Sequence, residues 1–209
     1  ISEVDTRTEF FLSDALRLFA DELLDRQGIR PDSGAPLIGI NPGVNWESKR
    51  YFEDRYATVA DALIERHNAW ILIFGGPDDI EKAENVVSGM RHKSRAVSVA
   101  SRTPTPNHAA ALIARCALFI TNDTGLMHIA AALGVPTVSL FGGTHPALHS
   151  PRAQPGQAHI HLSAGEGLPC WPCYRYHCRW KVNRACFLGI TPERVLSAAE
   201  AILTQPSCS

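Results

Sequence analysis

Between Leu37 and Phe141 the chain alternates short apolar runs with helical text, and that rhythm limits what it can fold into. "LIGIN" (37–41), "WILIFGG" (70–76), "AVSVA" (96–100), "ALFIT" (117–121) and "TVSLF" (137–141) have the length and composition of strands. Helical spacing fills 54–67, 79–90, 107–115 and 124–133 between them. Strands joined through helices return in the same direction by right-handed crossovers, which predicts an α/β fold, a Rossmann-like doubly wound parallel sheet of about five strands with helices on both faces.

Upstream, residues 8–27 carry Phe11, Ala15, Leu18 and Leu23 near helical spacing, with Gly28 as a stop, and "RPDSGAP" (30–36) reads as a connector. This divides the chain into 1–35, a helix and connector from an interdomain region, and 36–209, the main domain. The latter holds a Cys-rich segment at 170–186 and closes with a helix over 191–205, where Thr191 is a good N-cap and Pro192 suits the first helical position. The start "ISEVDTRTEF" has no Met, basic stretch or apolar core, so it is expected to be neither a signal peptide nor a natural start.

Composition is that of an ordinary globular domain, with 45% hydrophobic and 20% charged residues, and the net charge of -1 offers no electrostatic footprint for nucleic acid. The longest apolar runs fall short of the roughly 20 residues that a spanning helix needs.

In a doubly wound sheet ligands bind where strands run out into the following helices. Those loops are "NPGVNWESK", "GGPDD", "SRTPTP", "NDTG" and "GGTHP", so nearly all the Gly, Asp and Thr clusters fall on one edge of the sheet. Asp123, Thr124 and Gly125 precede "LMHIAAALG", which aims the unpaired amides of a helix start and its positive dipole end at any anion there. Gly125 lets a phosphate approach the backbone. Asp123 either accepts sugar hydroxyls or simply caps the helix. His128 lies within one turn of the helix start, in reach of the same pocket or in the core. Lys49 suits neutralising a diphosphate leaving group, or it is a surface lysine beside Arg50 and Arg55. Asp78 and Asp79 each fit ribose hydroxyls or a helix cap, while Gly143 and Thr144 would close over phosphates or sugar. A GxGxxG fingerprint and a GxxxxGK[ST] loop are both missing, which argues against a dehydrogenase or nucleoside triphosphatase.

Four of the six cysteines, Cys170, Cys173, Cys178 and Cys186, follow a C-x2-C-x4-C-x7-C pattern. The spacing fits a structural zinc or iron–sulfur site with His177 as a substitute ligand, paired disulfides, or reduced thiols packed as small hydrophobes. Any metal here is expected to be structural, because the segment lies beyond the strand-end loops.

Taken together, "NDTGLMHIAAALGVPTVSLFGGTHP", "NPGVNWESKRYF", "IFGGPDD" and the "CWPC" segment resemble the C-terminal half of glycosyltransferase family 9, the ADP-heptose:lipopolysaccharide heptosyltransferases, from about residue 36 onward. The resemblance implies the C-terminal, donor-binding domain of a GT-B glycosyltransferase. It implies Lys49 on the donor phosphates, Thr124 and Gly125 giving backbone contacts to the diphosphate, Asp123 on the sugar with His128 completing the loop, and Asp79 on the ribose. Asn45 stands where many members have Ser or Thr four residues before the Lys. The implied chemistry is inverting transfer of a heptose from a nucleotide-sugar donor, ADP-heptose, to a lipid-linked saccharide acceptor, with no cofactor required. The acceptor would be held by an N-terminal domain that nothing in this chain resembles. The implied location is cytoplasmic, peripheral at the inner membrane. A nucleotide-sugar epimerase of the same architecture and a binding module without transfer activity are the other readings.

Overall fold

The computed structural model describes residues 8–30, 34–152 and 157–205. The first seven residues, the middle of the expected connector (31–33) and Cys208 lie outside the described residues. Thirteen elements follow in order: α1 (Asp14–Arg26), β1 (Leu37–Asn41), α2 (Glu53–His67), β2 (Trp70–Ile73), α3 (Ile80–Gly89), β3 (Ala96–Ser98), α4 (Pro106–Ile113), β4 (Leu118–Asn122), α5 (Gly125–Ala132), β5 (Thr137–Phe141), α6 (Pro146–His149), β6 (His159–Ser163) and α7 (Pro192–Leu203). Short 3-10 turns interrupt the loops, among them Glu47–Lys49 and Pro77–Asp79.

The sheet is parallel throughout, with the order β3-β2-β1-β4-β5-β6. This is the doubly wound order, and the direction of winding reverses between β1 and β4. Alternate side chains divide the core in two. Ile38, Ile40, Ile71, Ile73, Leu118 and Ile120 point to one face and are buried with residues of α2, α3 and α7. Leu37, Leu72, Phe74 and Phe119 point to the other, against α1, α4 and α5. Gly39 is required on the second face: a Cβ there would lie 2.5 Å from the Phe119 ring, which packs edge-on against Phe74 at 5.3 Å between centroids.

Two differences from the sequence reading have physical causes. The sheet has a sixth strand, β6, beyond the five expected. It is an edge strand paired only with β5, half-buried, with His159 and His161 alternating with Ile160 and Leu162. The first helix starts at Asp14, because Ser13 caps it by accepting the Leu16 amide at 3.4 Å, so Phe11 lies outside it and exposed. Leu23, Leu24 and Ala20 of that helix are buried in the same core as β1 and β2. At the far end, α7 begins at the Thr191 cap, with Pro192 in its first turn. Among the described residues no helix is long and apolar enough to cross a membrane.

Candidate functional site: a cavity at the winding reversal

At the carboxyl ends of the strands, where β1 and β4 diverge, lies a cavity of about 480 Å³. Four loops line it. The first supplies Asn45, Trp46 and Lys49; the second Gly76 and Asp79; the third Thr103 to Pro106; the fourth Asp123, Thr124 and Gly125. A doubly wound sheet opens at this point because neighbouring crossovers leave on opposite faces.

Buried amides hold the loops in place. Asn41, the last residue of β1, donates to the Thr121 and Thr124 hydroxyls, each at 3.2 Å. Asn122, at the end of β4, accepts the Tyr51 amide and the Tyr56 hydroxyl, both at 3.1 Å, and donates to the Pro42 carbonyl at 3.0 Å. With its hydroxyl taken by Asn41, Thr124 does not cap α5 through its side chain. Gly125 faces open space, where a Cβ would find nothing within 4 Å. A helix start with no side-chain cap, opening into a cavity, presents its first amides to an anionic ligand.

Lys49 and Asp123 meet across this opening. The Lys49 ammonium lies 2.8 Å from Asp123 Oδ2, and the two side chains are only 15% and 5% exposed. The N-cap position of α5 belongs to Thr124, not to Asp123. Asp123 Oδ2 also accepts the buried Thr144 hydroxyl at 2.7 Å, and the Lys49 ammonium stands 4.8 Å above the Trp46 ring. On the opposite wall Asp79 is buried while Asp78 is exposed, which decides between the two acids of "GGPDD" as lining residues. Lys82 donates to Asp79 Oδ1 at 2.5 Å, and a Cβ on Gly43 would lie 2.5 Å from Asp79 Oδ2, so the first loop is pressed directly onto this carboxylate.

The residues singled out from sequence separate into three groups. Lys49, Asn45, Asp79, Asp123, Thr124 and Gly125 line the cavity. Thr144 stands behind it and orients Asp123. His128 is exposed and does not line the cavity, and Gly143 is held by neighbouring backbone instead. Sequence reasoning assigned no role to Asn41, Trp46 or the apolar wall of Ala109, Leu126 and Ile129. An amide ending an otherwise apolar strand was the available signal for Asn41.

The Cys-rich segment is not remote from this site. The Ser48 amide donates to the Tyr176 carbonyl at 3.1 Å, the Ser48 hydroxyl donates to the Arg175 carbonyl, and the Tyr174 amide donates to the Gly143 carbonyl at 2.9 Å. The Trp171 indole donates to the Gly142 carbonyl at 2.7 Å. The segment thus clamps the turn that carries Lys49 against the loop after β5. Cys170, Cys173, Cys178 and Cys186 are free thiols rather than disulfides, and among the described residues no group of three or more His, Cys, Asp or Glu side chains is placed to hold a metal ion. His177 instead donates from Nδ1 to the Glu47 carboxylate at 2.9 Å, and this contact holds the Glu47 carboxyl below the usual carboxylate range.

A family model, glycosyltransferase family 9 (heptosyltransferase), matches residues 3–182. The chain belongs to that family. It is 30% identical over 197 residues to lipopolysaccharide heptosyltransferase 1 of Pseudomonas aeruginosa, covering 88% of this chain and 53% of the relative. Among solved structures, a glycosyl transferase family 9 protein from Veillonella parvula matches with a TM-score of 0.78 at 26% identity, over 97% of this chain and 56% of the other. The E. coli ADP-heptose lps heptosyltransferase II matches with a TM-score of 0.73 at 25% identity, over 93% of this chain and 53% of that one. This family 9 chain spans about half the length of the relatives it matches.

Proposed function

We propose that this chain is the donor-binding half of an inverting heptosyltransferase that uses ADP-heptose and acts on a lipopolysaccharide-type, lipid-linked acceptor at the cytoplasmic face of the inner membrane. The observation that carries the reading is the Lys49–Asp123 pair beside the uncapped start of α5. A cation and a set of helix-start amides fit a diphosphate, and a buried carboxylate next to them fits the hydroxyls of the attached sugar.

The cavity falls within the usual size range for a small-ligand site, roughly 300–1,000 Å³. In this reading the base rests on the apolar wall of Ala109, Leu126 and Ile129 near the Thr103–Pro106 loop, the ribose hydroxyls meet Asp79, and the diphosphate spans from there to Gly125 and Lys49. The name of the E. coli relative supports ADP-heptose as donor.

In the transfer step the acceptor oxygen bonds to the anomeric carbon as that carbon's bond to the β-phosphate oxygen breaks. The bonding pair leaves with the nucleoside diphosphate, where Lys49 and the α5 amides stabilise the added negative charge. Asp123 holds the sugar for attack from the opposite side. The acceptor proton passes to a base assigned to the acceptor-binding half of the whole transferase.

Calorimetric titration of the chain with ADP, UDP, GDP and ADP-heptose tests this. Preferred binding of ADP, strengthened by the heptose, is the expected result. A preference for UDP or GDP would overturn the donor assignment, and isomerised donor in the product would favour an epimerase.

A further inference from the structure

We propose that the loop tip Arg179–Asn183 docks the protein on an anionic phospholipid surface. The tip belongs to a stretch, residues 167–192, that contains no Asp or Glu and carries Arg175, Arg179, Lys181 and Arg184. At its base the Arg184 amide donates to Cys178 Sγ at 3.2 Å, which closes the loop. Every residue from Arg179 to Asn183 is exposed, including Trp180 at 38% and Val182 at 51%. Tyr174 and Tyr176, on the stretch leading to the tip, are exposed as well. Glu47 is the acid bonded to this loop, and His177 and Asn183 engage its carboxylate.

A closed, exposed loop in which Arg179 and Lys181 flank an indole, with an isopropyl group following, fits a bilayer interface. Indole rings settle at the headgroup level, arginine and lysine reach from there to lipid phosphates, and an apolar insertion plus a basic patch gives the two signals that stable peripheral binding requires. A nucleic acid could stack on Trp180 but would gain nothing from the exposed Val182, and the chain as a whole has a net charge of -1. The base of the loop is fixed to the donor cavity through the Arg175 and Tyr176 carbonyls on Ser48, so docking would set Lys49 close to the membrane plane.

The test is flotation of the 209-residue chain with vesicles of phosphatidylcholine alone or with phosphatidylglycerol added, at low and high salt. Binding is expected only to the anionic vesicles and is expected to weaken with salt. The pair Arg179→Gln and Lys181→Gln is expected to reduce partitioning about thirtyfold. Trp180→Ala with Val182→Ser is expected to reduce it at least about tenfold. Unchanged melting temperature and ADP titration in both pairs would show that fold and donor site are intact. Failure to float with anionic vesicles, or flotation unaffected by both pairs, would overturn the proposal. So would binding to heparin as tight as to vesicles and indifferent to Trp180→Ala, because that result would assign the loop to a soluble polyanion.

Discussion

The Lys49 ammonium sits 2.8 Å from Asp123 Oδ2, and that same oxygen accepts the Thr144 hydroxyl at 2.7 Å. One carboxylate thus joins three loops, after β1, β4 and β5. It holds the cation that the proposed function assigns to a diphosphate.

The two partners are expected to separate by ligand. Lys49→Ala removes the cation proposed for the phosphates, so affinity for ADP and for ADP-heptose should both fall, and the buried carboxylate left behind should reduce stability by about 1–3 kcal/mol. Asp123→Ala should spare ADP and abolish the extra affinity contributed by the sugar. Calorimetry with both ligands on both variants reads this out. Equal losses for ADP in the two variants would contradict the division of roles.

Thr144→Val keeps the shape and deletes the hydroxyl that donates to Asp123. A hydrogen bond to a charged acceptor contributes about 1.5–3 kcal/mol. Thermal and denaturant unfolding should show a loss in or just below that range, and ADP-heptose should lose its advantage over ADP.

Asp79 is assigned to the ribose, so Asp79→Ala should make ADP and 2′-deoxy-ADP bind alike while leaving pyrophosphate binding unchanged. Gly43→Ala should mimic it in part, because the new methyl group would lie 2.5 Å from Asp79 Oδ2 and force the carboxylate to shift. If pyrophosphate binding falls with Asp79→Ala, the residue belongs to the phosphate end instead.

Alkaline pH should weaken the fold. Burial, with the neighbouring Cys173, Cys178 and Cys170, pushes the Cys186 thiol up from 9.0 to about 12, and burial pushes the Tyr51 hydroxyl up from 10.0 to about 12. Both groups stay protonated in the fold while the unfolded chain ionises. Their contribution is therefore complete below pH about 9 and is lost progressively as pH rises toward 12. Melting temperatures from pH 8 to 11 should fall, and Cys186→Ala should flatten the first part of the fall. Because reactivity follows the thiolate, Cys186 should also alkylate slowly at pH 8.

Much of the architecture was legible because it rests on local periodicity. Strand β1 and strand β5 were bounded correctly from sequence, since each is a short apolar run ended by a turn residue and buried along its whole length. Strand β6 was not, because an edge strand with a histidine at every second position carries no apolar run. The site was legible as a set of loops, through the clustering of Gly, Asp and Thr at one sheet edge. Its pairings were not. Nothing local links Lys49 to Asp123 or Asn41 to Thr124, and a rotation of about 100° per residue carries His128 off the face that Leu126 and Ile129 turn to the cavity. The Cys-rich segment looked peripheral because sequence gave no sign that its backbone carbonyls would hold Ser48.

The most direct measurement is a crystal structure of the chain with ADP. The β-phosphate is expected within hydrogen-bond distance of the Thr124 or Gly125 amide and of the Lys49 ammonium, with the ribose on Asp79. Phosphates lodged away from the α5 start, with Lys49 still paired to Asp123, would contradict the proposed donor site.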